Sequence, residues 1–336
     1  MHAHQRSCVL LSCLLLCATP FVIAQQSTSN QSPAAADAAK TTVTVTVTGR
    51  DHRPVSGLKT EDFALYEDGQ RLSISSVGPA EAACVAIVVD ESSSMRGKLA
   101  AIASAMGDFV RAGNPGNRIL SIAFNDETAI EENFTADPAL VEKSLMQEEP
   151  RGGTALYNAV MGTADYLARS KECNKRVLVV LSDGEDTEGK KTLEAALAFL
   201  QCAGNPLIYT IGLPHPDKAI SSHGRHALEE MAKRSGGAAF FVESFNDLHK
   251  AALKVADELK NQYAVTYVAT QTTRAGGPDI KVDAHASEQK KMSVRTNVAG
   301  TVDLSAEESA YVAAVRNCTY RSLVDESRKP VAGGQH

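Results

Sequence analysis

Between residues 84 and 261, short apolar runs alternate with segments of helical spacing, and that order leaves few folds open. The runs are Cys84–Val89, Ile119–Phe124, Val177–Leu181, Leu207–Ile211 and Ala238–Val242. The helical patterns cover about Lys98–Ala112, Ala155–Ser170, Thr192–Cys202, His226–Ser235 and Phe245–Asn261. Strand–helix alternation predicts an α/β fold, a doubly wound and mostly parallel sheet with helices on both faces. Ligands of such sheets bind outside the carboxyl ends of the strands, where the strand order reverses. The strands ending near Asp90 and Asp183 are expected to flank that point.

The chemistry written at those strand ends is specific. Cys84–Val89 runs directly into Asp90-Glu91-Ser92-Ser93-Ser94. A buried strand ending in an acid and two alternate hydroxyls brings three hard oxygen donors to one point, which suits a Mg²⁺-type ion. Arg151-Gly152-Gly153-Thr154-Ala155-Leu156-Tyr157 is a glycine turn entering a helix, and Val177–Leu181 is followed by Ser182-Asp183-Gly184-Glu185-Asp186. Helix capping by Ser94 and Thr154 is the plainer alternative. It does not explain why separate strand ends carry matching oxygens.

Asp90, Ser92, Ser94, Thr154 and Asp183 resemble, in order, the metal-ion-dependent adhesion site of von Willebrand factor type A domains. The resemblance implies that Ser92 and Ser94 bind a Mg²⁺ or Mn²⁺ ion directly, with Thr154 a ligand or a switchable one. It implies that Asp90 and Asp183 act mostly through bound water. A partner protein's Asp or Glu carboxylate would then complete the shell. Gly152 and Gly153 are expected to let the backbone approach the ion, where a Cβ would intrude. Glu91 departs from the family's usual small residue and is expected to point away from the ion. Asp126 is expected either at the rim of the site or in a solvated turn.

The flanks predict a second unit. Thr42–Thr48 alternates strictly, with Val43, Val45 and Val47 on one face. Phe63–Tyr66 and Leu72–Val77 flank the turn Glu67-Asp68-Gly69-Gln70. Further strands are expected at Tyr263–Val268, Ile280–Ala284 and Met292–Val298. So few short strands need company, so the terminal strands are expected to form one β-sandwich into which the α/β domain is inserted. The stretches Arg53–Phe63 and Leu65–Gly69 also resemble the flank of an exported, acidobacterial-type group of von Willebrand A-related proteins. The expected organisation is a signal peptide at 1–24, a disordered linker at 25–40 and sandwich strands at 41–80. The α/β domain then covers 83–261, further sandwich strands 262–300 and a helical tail 301–336.

The first residues read as a processing segment: Arg6, then apolar Cys8–Ala18, then Val22-Ile23-Ala24 as a cleavage site. Export to the periplasm or beyond is therefore expected, with a lipid anchor at Cys13 or Cys17 or an uncleaved anchor as alternatives. After cleavage Cys84, Cys173, Cys202 and Cys318 remain, and an oxidising compartment invites disulfides. Cys173 and Cys202 both fall at the sheet end opposite the acids, so Cys173–Cys202 is the expected bridge, leaving Cys84 with Cys318.

The formal charge is −6 and no basic stripe is interleaved with aromatics, which argues against nucleic-acid binding. Phosphate-cradling loops of P-loop form are absent from the sequence. His215, His223 and His226 are residue types that suit zinc. A secreted zinc-dependent hydrolase using them is one alternative function, and a cell-envelope scaffold with a purely structural metal is another. Ser92, Ser94 and Ser182 lie in no G-x-S-x-G elbow and no histidine falls in the three motif segments, so a non-enzymatic protein-binding or adhesion module is expected.

Overall fold

The computed structural model describes residues 40–172, 174–184, 186–188, 191–215, 217–270, 278–285, 292–297 and 324–325. The expected signal peptide, nearly all of the linker and most of the tail lie outside these residues. The chain opens with β1 (Lys40–Thr48), β2 (Phe63–Glu67), β3 (Gln70–Leu72) and β4 (Ile74–Pro79). The α/β part follows as β5 (Ala83–Asp90), α1 (Leu99–Ala112), β6 (Arg118–Phe124), β7 (Thr128–Thr135) and α2 (Pro138–Ser144). It continues with α3 (Leu156–Arg169), β8 (Lys175–Ser182), α4 (Leu193–Cys202), β9 (Leu207–Gly212), α5 (Lys218–Ser235), β10 (Ala239–Phe241) and α6 (Leu248–Lys260). The chain returns to strands in β11 (Tyr263–Val268), β12 (Ile280–Ala284), β13 (Ser293–Thr296) and β14 (Val324–Asp325).

The large sheet has the order β10-β9-β8-β5-β6-β7-β14. Pairings from β10 to β6 are parallel, and β7 folds back antiparallel on β6. Every residue of β5 is buried, as a strand covered on both faces requires. Val85, Ile87 and Val89 face α1 and α6, whereas Cys84, Ala86 and Val88 face α3 and α4. The fold is the doubly wound α/β class read from the sequence. β7 and α2 had no clear signal, because Thr128–Thr135 carries Glu131 and Glu132 at adjacent positions and so hides its alternation. Val324, within the expected helical tail, pairs as a strand residue beside β7.

The terminal strands form two antiparallel sheets, β13-β1-β11-β4 and β12-β2-β3. Val43, Val45, Val47, Val265 and Tyr267 of one sheet and Phe63, Leu65, Ile280 and Val282 of the other share a single core. The expected strand over Leu72–Val77 is divided at Ser73, because β3 and β4 belong to different sheets. The threonine face of β1 is also less exposed than alternation implies. Thr46 is buried, and its Oγ1 accepts a hydrogen bond from Gln262 Nε2 at 2.8 Å.

Gln262 Nε2 also donates to the Tyr209 hydroxyl on β9, at 3.1 Å, which ties the sandwich to the base of the large sheet. Arg295 of β13 pairs with Glu258 of α6 and donates to the Gly237 carbonyl. Asn297 Nδ2 donates to the Asn205 carbonyl at 2.8 Å and the Ser235 carbonyl at 3.1 Å. Breaking this junction on one side leaves Glu258 buried without its cation. Arg295→Met is therefore expected to destabilise the protein by about 2 kcal/mol, a value reduced from the fully buried case because Arg295 is partly exposed. Urea denaturation would check it, with Lys281→Met as a control at an exposed pair.

Cys84 and Cys202 are both disulfide-bonded. Cys84 lies near the start of β5 and Cys202 ends α4, at the sheet end opposite Asp90. The expected partners Cys318 and Cys173 fall outside the described residues.

Candidate functional site

β5 and β8 are parallel neighbours, with Val89 opposite Leu181, and their onward connections run to opposite sides of the sheet. Their carboxyl ends therefore open at the point of reversed strand order, the place where such sheets bind ligands. Asp90 closes β5, and Ser182 and Asp183 close β8. Asp90 is fully buried. Its Oδ1 accepts from the Ser92 backbone N–H at 2.9 Å, and its Oδ2 accepts from the Ser182 hydroxyl at 2.6 Å.

From Ser92 the polar chain continues across the cleft. The Ser92 and Ser94 hydroxyl oxygens are 3.0 Å apart, and Ser94 Oγ donates to Asp183 Oδ1 at 2.8 Å. The other oxygen of Asp183 is paired with the Lys98 ammonium, a group with no signal in the sequence. Desolvation raises the Asp90 pKa to about 6, and the charge of Asp183 adds to the rise, while hydrogen bonds from Ser182 and Ser92 oppose it. The cleft thus holds two closely placed buried carboxylates, which favours a cation between them.

The third segment is sewn onto the other two. The Ser93 backbone N–H donates to the Gly152 carbonyl (3.1 Å), Arg151 N–H to the Glu91 carbonyl (2.9 Å) and Ala155 N–H to the Asn125 carbonyl (2.8 Å). Thr154, almost buried, exchanges bonds with Thr187: its N–H donates to Thr187 Oγ1 at 3.0 Å, and Thr187 N–H returns to the Thr154 carbonyl at 2.9 Å. Gly152 has φ +72°, the left-handed region that favours glycine, and a Cβ there would lie 2.3 Å from Asp126 Oδ2. A Cβ on Gly153 would meet the Glu188 side chain at 2.2 Å. The glycines therefore make room for two acidic side chains. Asp126 is more than a rim residue, since its Oδ1 accepts from Gly153 N–H at 2.7 Å and holds the turn.

The five residues singled out in the sequence thus lie on three segments that meet at the carboxyl ends of β5 and β8. Lys98 and Thr187 escaped notice, being common residue types whose partners are remote in sequence, and Ser182 was weighed only as a nucleophile. The histidines do not assemble. His223 and His226 belong to α5, which starts at Lys218 rather than His226, and both are exposed. The His215 ring nitrogen Nδ1 accepts from Asp217 N–H at 3.0 Å. Among the described residues no group of three His, Cys, Asp or Glu side chains is placed to hold a metal. The α/β cleft differs in kind, because its donors are mainly hydroxyls.

Residues 85–185 match the family model of the von Willebrand factor type A domain, a span that contains all five residues. The chain carries a von Willebrand factor type A domain. A search of curated proteins found no match. Among solved structures the chain is similar to the vWF domain of the type V pili tip protein Mfa5 from Porphyromonas gingivalis. The identity there is 16%, over 52% of this chain and 94% of that one, with a TM-score of 0.43. A von Willebrand factor type A protein from Catenulispora acidiphila is 11% identical over 77% of this chain and 72% of that one, with a TM-score of 0.47. Proximal thread matrix protein 1 from the mussel byssus, with a zinc-occupied MIDAS motif, is 20% identical over 57% of this chain and 49% of that one (TM-score 0.45).

Proposed function

We propose that this protein is an exported, non-enzymatic interaction module whose von Willebrand A domain holds Mg²⁺ or Mn²⁺ and recognises a carboxylate of a partner protein. The observation that carries the reading is the hydrogen-bonded run from the Ser182 hydroxyl through Asp90, the Ser92 N–H and the Ser92 and Ser94 hydroxyls to Asp183, across two adjacent strand ends. Two carboxylates with neutral hydroxyls form a hard donor set, matched to a hard divalent ion rather than to a soft one. The residues fit the ion. Ser92, Ser94 and Thr154 would contribute neutral oxygens, and Asp90 and Asp183 the negative charge. The ion's contribution, when bound, is electrophilic character toward an outside carboxylate.

The protein's own part is preorganisation. Ser182 and the Ser92 N–H fix both oxygens of Asp90, and the backbone bonds around Gly152 fix the Thr154 segment before any ligand arrives. Export is supported by the disulfide-bonded state of Cys84 and Cys202, which belongs to oxidising compartments. Among the described residues no helix is long and apolar enough to cross a membrane.

Calorimetric titration of metal-stripped protein with Mg²⁺, Mn²⁺ and Zn²⁺ tests the reading. One-site binding of Mg²⁺ or Mn²⁺ is expected, and its absence would overturn the metal role. Once a protein ligand is in hand, EDTA should abolish its binding. Binding unchanged in EDTA would retire the carboxylate mechanism and favour a scaffold.

A further inference from the structure

Lys98 stands where helix physics disfavours it. It is the N-cap of α1, a position that prefers Ser, Thr, Asp or Asn, and it sets a cation at the positive end of the helix dipole. Its side chain caps nothing in the helix. It reaches instead to Asp183, whose side chain is 1% exposed, while that of Lys98 is 15% exposed. The Pro214 carbonyl accepts from the same ammonium at 3.4 Å, and the Phe245 ring lies 6.0 Å from it. Segments beyond β9 and before α6 thus hold this cation on the very carboxylate that closes the oxygen run.

We propose that Lys98 is a resident counter-cation that sets the metal affinity of the site, holding it lower than its oxygens alone would give. The proposal rests on the metal-binding reading above. Without a divalent ion, Lys98 balances one of two mutually repelling buried carboxylates. With the ion in place, the same ammonium is a like charge at close range and competes for Asp183. Two aspartates, a divalent ion and Lys98 together leave one net positive charge, the complement of a single incoming carboxylate. A neutral side chain at 98 would leave the loaded site neutral. Lys98 therefore gives up metal affinity in exchange for attraction toward an acidic partner.

The test is calorimetry of the full chain with Mg²⁺ alone, for wild type, Lys98→Met, Lys98→Gln and the charge-retaining Lys98→Arg. Both neutral variants are expected to bind Mg²⁺ about tenfold more tightly at unchanged stoichiometry, equal to about 1.4 kcal/mol, with Lys98→Arg near wild type. Metal-free Lys98→Met should also melt below the wild type, since Asp183 loses its counter-charge, and saturating Mg²⁺ should close that gap. Equal or weaker Mg²⁺ binding by both neutral variants, beside a binding wild type, would overturn the role of Lys98 and leave the metal reading intact. Silence from wild type and variants alike would overturn the metal reading and this role with it.

Discussion

Asp90→Asn is expected to abolish Mg²⁺ binding and, in metal-free buffer near neutral pH, to make the protein more stable. The two effects have one origin. Burial lifts the Asp90 pKa from 3.8 to about 6 in the fold, so the ionised carboxylate costs folding free energy that the unfolded chain does not bear. The sign follows from proton counts. Between about pH 4 and 6 the folded state holds the proton and the unfolded state does not, so stability falls as pH rises through that window. It is flat above it. About two units correspond to about 3 kcal/mol, an upper bound on what the amide can recover. Asparagine keeps an oxygen for the Ser92 N–H, and its amide nitrogen can donate to Ser182 Oγ. Thermal melts from pH 4 to 8, with and without Mg²⁺, read both effects. Mg²⁺ should raise the wild-type melting temperature most above pH 6 and leave the variant unmoved. A variant less stable than wild type at pH 7.5 without metal would show that ionised Asp90 carries no such cost.

The largest stability loss is expected far from the site, at Gly237. A Cβ there would lie 1.9 Å from the Ile208 carbonyl oxygen and 2.7 Å from its carbon. Both are main-chain atoms of β9, which is held between β8 and β10 and cannot yield. Gly237 also presents its carbonyl to Arg295, so a shift there would be felt at the sandwich junction. Gly237→Ala should destabilise by about 3 kcal/mol or more, and lower the melting temperature by about 10 °C. Gly78→Ala on β4, where a Cβ meets nothing within 4 Å, is the control and should change little. A Gly237→Ala protein that melts within about 2 °C of wild type would refute the steric argument.

The two regions differ in how much of them the sequence foretold. The five oxygen-bearing residues could be singled out because each follows an apolar run or a glycine turn, and the strand-end position is a local property. Lys98 could not. A lysine eight residues beyond Asp90 looks like any solvated helix start, and its meaning comes only from Asp183 across the cleft. The glycines were noticed for close approach, and the structure adds two acidic neighbours to that reason. A Cβ there would meet Asp126 or Glu188. The histidines entered only as an alternative zinc site, because composition says nothing about direction. α5 begins at Lys218, which places His223 and His226 on a helix and apart from His215 in its turn.

By itself the sequence determined the alternation of buried strands and helices, and hence the doubly wound sheet and the end of it that bears oxygens. These depend on periodicity and on short-range order, which a chain carries with it in any conformation. Tertiary structure alone decided which terminal strand joins which sheet, where Leu72–Val77 divides, and that Glu258 and Arg295 clamp the two units together. It also decided that a lysine shares its carboxylate with the proposed ion site. Such pairings join residues up to a couple of hundred positions apart, and their energies depend on burial and distance, which have no value until the chain has closed.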